Sequence, residues 1–240
     1  MSGERLPPVE IEPERPADAA VILMHGLGAD GHDFETLVFE LQLPAASAIR
    51  WVFPHAPVRP VTLNGGAPMR AWFDIIGLDR RSEEDKAGVR ESAKGIRDLI
   101  RRERERGIPA DRIVLAGFSQ GGAMALYTAL RETERLAGVL ALSSCMPLAT
   151  TLESEAHPAN AAVSVFMAHG TVDPIVPMAL GEASRDHLQS LGYDVDWRTY
   201  PMPHSLCADE VADVREWLLR VLPVLGEERA ASTPAPTAGP

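Results

Sequence analysis

The chain of 240 residues has only two cysteines, Cys145 and Cys207, and aromatic residues make up 5% of it. No Cys-x-x-Cys pair is present to hold zinc or run thiol exchange. A chain of this length buries a core large enough to stand without a disulfide framework. No segment approaches the roughly 18 uninterrupted apolar residues of a membrane span. The opening through Pro8 has no apolar stretch of signal-peptide length, so the expected location is cytoplasmic. Positive charge is also scarce: 23 Lys and Arg stand against 34 Asp and Glu, a net charge of −11. That balance repels phosphate backbones and anionic bilayers, which argues against a nucleic-acid partner and against stable membrane insertion. Basic residues concentrate only between Arg80 and Arg106. There Val89, Ala93, Ile96 and Ile100 recur at helical spacing, which reads as one buried stripe beneath a charged solvent face.

Composition divides the remainder simply. Residues 1–16, rich in Pro and Glu, and residues 227–240, rich in Ala, Pro and Thr, bury too little apolar surface to offset their ordering entropy and read as a flexible opening segment and a disordered tail. Residues 17–226 contain no repeat and no Gly/Ser linker, which indicates one domain. Within it short β-branched runs alternate with longer amphipathic ones. Strands are expected at Ala20–Met24, Trp51–Phe53, Arg112–Ala116, Gly138–Leu142, Val163–Ala168 and Asp194–Tyr200. Helices are expected at Asp33–Leu41, Glu84–Arg106, Gln120–Leu130, Met178–Leu191 and Ala208–Leu222. The alternation predicts an α/β fold with an open, mostly parallel central sheet and helices on both faces. Ligands of such sheets sit beyond the carboxyl ends of the strands, so chemistry is to be sought just after each one.

After the third run comes Gly117-Phe118-Ser119-Gln120-Gly121-Gly122, a Gly-x-Ser-x-Gly turn between strand and helix. A serine hydroxyl becomes a nucleophile when a tight elbow holds it exposed beside a base, and the elbow's backbone admits only small flanking residues, here Gly117 and Gly121. The competing reading is a plain Gly-rich turn. Where such an elbow carries the nucleophile, an acid and then a histidine follow it along the chain. His25, His32 and His55 precede Ser119 and break that order. His157 lies in a polar loop, His187 falls within a helix, and His169 sits where the acid is expected. His204, between the last strand and the last helix, is in the position of the general base. Asp173, after the strand ending at Ala168, is in the position of the acid that orients the imidazole, although Asp before Pro is also a common turn. The Gln120 amide and the Leu27 amide of the loop Met24-His25-Gly26-Leu27-Gly28 are candidate donors to the developing oxyanion; losing one such donor can cost about 3 kcal/mol.

The same loop fits a rival pattern. Gly26-Leu27-Gly28-Ala29-Asp30-Gly31 matches the Gly-x-Gly-x-x-Gly dinucleotide fingerprint, which would make the protein an oxidoreductase. That reading requires a carboxylate at the end of the second strand to bind ribose, and Trp51-Val52-Phe53-Pro54-His55 has none. A third reading, a non-catalytic binding module on a hydrolase scaffold, would be expected to have lost one of the three catalytic side chains.

Taken together, the motifs resemble the phospholipase/carboxylesterase family of α/β hydrolases, which includes acyl-protein thioesterases and lysophospholipases. The likeness rests on His25-Gly26-Leu27-Gly28, Phe53-Pro54-His55-Ala56-Pro57, Asn64-Gly65-Gly66 with Met69-Arg70-Ala71-Trp72-Phe73-Asp74, Gly117 to Gly122, His169-Gly170 with Asp173 and Val176-Pro177, and Pro203-His204-Ser205. It implies an α/β-hydrolase fold and a serine esterase with Ser119, Asp173 and His204 as the catalytic set. It further implies Leu27 and Gln120 as the oxyanion hole, with no metal or cofactor. It places Trp72 close to the substrate. Trp72 and the Val176-Pro177 turn would then border an acyl pocket, although packing explains apolar residues there equally. Pro203, where the family often has a small residue, implies a stiffer loop before the histidine. Carboxyl esters, thioesters and lysophospholipids share this chemistry, so a small-molecule ester is as far as the reading extends. The resemblance is also compatible with a homodimer.

Overall fold

Alternating side chains along the second strand fix the layout of the protein. The computed structural model describes residues 6–77 and 83–225. Among them lie strands β1 (Val9–Ile11), β2 (Ala19–Met24), β3 (Ile49–Phe53), β4 (Val58–Val61), β5 (Ala67–Arg70), β6 (Ile113–Phe118), β7 (Gly138–Leu142), β8 (Ser164–Gly170) and β9 (Val195–Tyr200). The helices are α1 (Glu35–Glu40), α2 (Lys86–Glu105), α3 (Gln120–Ala129), α4 (Leu152–Glu155), α5 (Met178–Ser190) and α6 (Ala208–Val221). In β2, Ala20, Ile22 and Met24 join one hydrophobic cluster, with α2, α3 and Leu188 of α5. Ala19, Val21 and Leu23 join a second cluster with Leu37 of α1 and with Val211, Val214, Trp217 and Leu218 of α6. A strand buried on both faces is the mark of a parallel sheet covered by helices on each side.

Seven strands form that sheet in the order β1-β3-β2-β6-β7-β8-β9. Every neighbouring pair is parallel except β1 with β3. The order leaves β2 toward β3 on one side and toward β6 on the other. A crevice therefore opens beyond the carboxyl ends of β2 and β6, where the Gly26 loop and the Ser119 elbow emerge. The stripe expected in α2 is present: Val89, Ala93, Ile96 and Ile100 are all buried. The helix is started by Asp85, whose side chain accepts the Gly88 amide at 2.8 Å. No helix among the described residues is long and apolar enough to cross a membrane.

The structure corrects the reading of residues 1–16 as a flexible segment, because Val9–Ile11 form β1. Val9 and Ile11 pack on the second cluster, and Glu10 and Glu12 meet cations of α2 and β3. Arg102 and Arg106 reach Glu10 at 2.6 and 2.9 Å, Arg106 and Arg50 reach Glu12 at 2.6 and 2.8 Å, and Arg50, Arg102 and Arg106 converge on the fully buried Glu103. The charge at the end of α2 is thus internal fastening as well as solvent face. Residues 227–240 lie outside the described residues. Also not anticipated were the short α4 and the two strands of the β4–β5 hairpin, which turns through Gly65 and Gly66 at φ of 66° and 79°.

Removing Glu103 leaves Arg50, only 11% exposed, without its buried partner. Glu103→Ala is expected to cost about 3–5 kcal/mol in a urea titration, the usual penalty for orphaning a buried ion pair.

Candidate active site

The elbow after β6 is built by contacts too close for a side chain. Ser119 has φ 55° and ψ −120°, a strained conformation for a residue with a Cβ. A Cβ at Gly117 would stand 2.1 Å from the Gly121 carbonyl carbon, and one at Gly121 would stand 2.0 Å from the Met24 carbonyl oxygen. Both glycines are therefore demanded by the backbone, and α3 is drawn against the end of β2. The Ser119 amide donates to Leu142 at 2.8 Å, and Ser144 Oγ donates to the Ser119 carbonyl at 2.7 Å, so the turn is tied to β7 as well.

Asp173 and His204 emerge from the adjacent parallel strands β8 and β9. Gly170 lets their loops meet, since a Cβ there would fall 2.3 Å from the Met202 carbonyl oxygen and 2.5 Å from that of Pro203. His204 Nδ1 donates to Asp173 Oδ2 at 2.6 Å. Asp173 Oδ1 accepts the Ile175 and Val176 amides at 2.8 and 2.9 Å. The carboxylate is fully buried and His204 is mostly so. The His204 ring lies 4.7 Å, centroid to centroid, from Phe118, the residue before Ser119. The ring of His204 is thus held by Asp173 on one side and lies against the residue preceding Ser119 on the other.

The loop after β2 meets the elbow directly: a Cβ on Gly26 would lie 3.5 Å from Ser119 Cβ. His25 sets this loop. Its Nδ1 donates to the Gly26 carbonyl at 2.6 Å, and its Nε2 accepts the Ala56 amide at 3.0 Å. Burial pushes its pKa down to about 4, against the opposing pull of the Gly26 carbonyl, so the ring is neutral. Leu27 follows. Neither its amide nor that of Gln120 donates to a described group, which leaves both N–H groups free for an anion. The Gln120 side chain grips the stretch after β5, its Oε1 accepting the Trp72 amide and its Nε2 donating to the Phe73 carbonyl, both at 2.8 Å. Trp72 is 4% exposed, tilted against His25, and donates Nε1–H to the His25 carbonyl at 2.9 Å. It thus stands behind the loop as a brace.

Known proteins match this chain over most of its length. The family model described as Phospholipase/Carboxylesterase matches residues 8–222. The chain belongs to that family. It is 39% identical over 234 residues to acyl-protein thioesterase 1 of Neurospora crassa, covering 93% of this chain and 95% of that protein. It is 40% identical to acyl-protein thioesterase 1 of Mycosarcoma maydis, covering 85% and 92%. Among solved structures, SOBER1 of Arabidopsis thaliana superposes with a TM-score of 0.81 at 29% identity, over 85% of this chain and 99% of that one. Acyl-protein thioesterase 2 of Zea mays gives 0.80 at 31%, over 90% and 98%.

This α/β hydrolase is therefore an enzyme of the esterase and thioesterase group. The dinucleotide alternative gains nothing from the fold: α1 begins only at Glu35, with a carboxylate in its first turn where a pyrophosphate would need bare amides. The thiol after β7 is no rival nucleophile, since burial pushes Cys145 up to about 11. His169, read as part of the acid loop, lies within β8 and is fully buried. What the sequence could not show was the direction in which it faces.

One buried carboxylate close to the site serves none of these contacts. Glu210, in the first turn of α6 beyond His204, is fully buried, and neither of its oxygens has a hydrogen-bond partner. Burial raises its pKa to about 8; the Cys207 amide approaches without a well-formed hydrogen bond, and its opposing pull is outweighed. The unfolded chain ionises this group near 4.5 while the folded protein keeps it protonated to about 8, so folding loses stability as pH rises through that window. Glu210→Gln, which cannot ionise, is expected to be more stable than the wild type at about pH 8 and to gain little at about pH 5, as read by thermal unfolding at both values.

Proposed function

We propose that the protein is a serine esterase that works through an acyl-enzyme. The observation that carries this reading is the 2.6 Å His204–Asp173 bond, held beside the strained Ser119 elbow. His204 Nε2 takes the Ser119 hydroxyl proton as Oγ attacks the carbonyl carbon of the substrate. Asp173 holds Nδ1 protonated, which fixes the tautomer and stabilises the imidazolium that forms. The Leu27 and Gln120 amides receive the oxyanion. When the tetrahedral intermediate collapses, the imidazolium returns the proton to the departing alcohol or thiol. Water then enters, loses a proton to the same nitrogen, and releases the acid. The steps draw on no metal or cofactor.

Carboxyl esters and thioesters fit equally, and the acyl-protein thioesterase relatives support including the thioester. Trp72 contributes by bracing the oxyanion loop. Val176, 8% exposed, contributes by closing the turn that carries Asp173. The apolar surface nearest the acid is carried instead by Val172 and Ile175, at 66% and 52% exposed, which flank it. The reading places the activity in a single domain of residues 17–226 together with β1, in a cytoplasmic protein that assembles as a homodimer.

Ser119→Ala is expected to lower kcat/KM for p-nitrophenyl butyrate by at least about 10³-fold and to abolish covalent labelling by a fluorophosphonate, followed by intact mass. Undiminished hydrolysis by that variant would remove Ser119 as nucleophile. Light scattering coupled to gel filtration checks the dimer, with twice the 26.0 kDa chain mass expected.

A further inference from the structure

A second imidazole faces the carboxylate of Asp173. His169 Nε2 lies 3.5 Å from Asp173 Oδ2, the oxygen that also accepts His204 Nδ1, and 2.8 Å from the carbonyl of Val176. Both side chains of the His169–Asp173 pair are fully buried. The surroundings of the ring decide where its proton sits. A carbonyl oxygen can only accept, so Nε2 carries the hydrogen. Nδ1 is buried with no partner, packed toward α5 where a Cβ on Gly181 would come within 2.6 Å of it. A proton on Nδ1 would be a buried donor with nothing to meet, and moving the hydrogen there would turn the Nε2 lone pair toward two oxygens. The surroundings thus place the ring hydrogen on Nε2, directed at the base of the acid loop.

That hydrogen bond closes a small circuit. His169 holds the Val176 carbonyl, the Val176 amide holds Asp173 Oδ1 at 2.9 Å, and the Ile175 amide adds a second bond at 2.8 Å. The carboxylate can then rotate only by breaking the turn, and its other oxygen stays on His204. We propose that His169 is a positioning residue for the reaction: buried away from substrate, it orients Asp173, and through it His204, while setting an N–H dipole 3.5 Å from the oxygen that His204 uses. The inference rests on Asp173 being the acid of the proposed mechanism. It concerns the chemical step, because the circuit runs from the buried His169 ring through main-chain groups to the acid carboxylate.

The test compares His169→Leu, His169→Gln and Asp173→Asn on p-nitrophenyl butyrate, with unfolding midpoints measured for each. Leu fills the space without a donor, and Gln restores an N–H near the position of Nε2. Misplacement on the scale of an ångström costs on the order of 10²-fold. His169→Leu is therefore expected to lose about 10- to 100-fold in kcat with KM within about twofold of wild type, and His169→Gln to recover most of that loss. Asp173→Asn is expected to fall by about 10⁴-fold, as when a triad acid is replaced by its amide. Wild-type kcat in His169→Leu beside an impaired Asp173→Asn would overturn the inference alone. So would equal losses in the Leu and Gln variants, matched by equal drops in unfolding midpoint, which mark a packing residue. Full activity in Asp173→Asn would overturn the acid assignment and this inference with it. If His169→Leu does not fold, the decision falls to His169→Gln: kcat within a few-fold of wild type supports the role, and a loss as large as that of Asp173→Asn overturns it.

Discussion

The site depends on one steric constraint: the backbone of the elbow lies so close to the end of β2 that no side chain fits between them. Gly121 against the Met24 carbonyl, and Gly117 against Gly121, set how near α3 approaches the sheet. That approach turns Ser119 into a conformation that an unconstrained chain would avoid, and it brings Gly26 alongside the serine Cβ. The Ser119 elbow and the Gly26 loop are therefore placed by the same contact. The strain is held by the surrounding parallel sheet, whose β2, β6 and β7 are buried on both faces.

A second layer of control comes from side chains that serve the backbone. His25, Trp72 and Gln120 look like candidates for contact with substrate, yet each is spent on main-chain groups: the Gly26 carbonyl, the His25 carbonyl, and the Trp72 amide with the Phe73 carbonyl. Gln120 has two functions, since its side chain anchors the segment after β5 while its own amide faces the Ser119 turn. The segment after β5 is thereby linked to the Ser119 turn through one residue, the link being reinforced where the Gly28 amide donates to the Arg70 carbonyl at 2.8 Å.

How much of this was legible depended on whether the signal was local. The tight elbow at Ser119 was legible through its glycines, the stripe in α2 through its period, and the position of His204 through the strand before it; each requires only a short window of chain. β1 was hidden because its three residues have little apolar weight of their own, and the cations that hold it lie about 40 to 95 positions further along. The β4–β5 pair was hidden for a different reason. Pro60 faces Pro68 across it, and proline within a run argues against a strand unless the strand stands at an edge. The brace role of Trp72 and the direction of His169 are properties of side-chain orientation, which composition and spacing do not encode.

The two margins of the sheet share a feature with a consequence for assembly. β1 ends one side with three residues, Glu10 at its centre and Glu12 just beyond it, both committed to arginines, and β9 ends the other with Asp196 held between Arg198 and Arg220. Ion-paired side chains along both borders obstruct the addition of a strand from another molecule. Two copies of this chain would therefore meet through helices or loops, keeping their sheets separate, and aggregation by strand-to-strand growth is disfavoured at both ends.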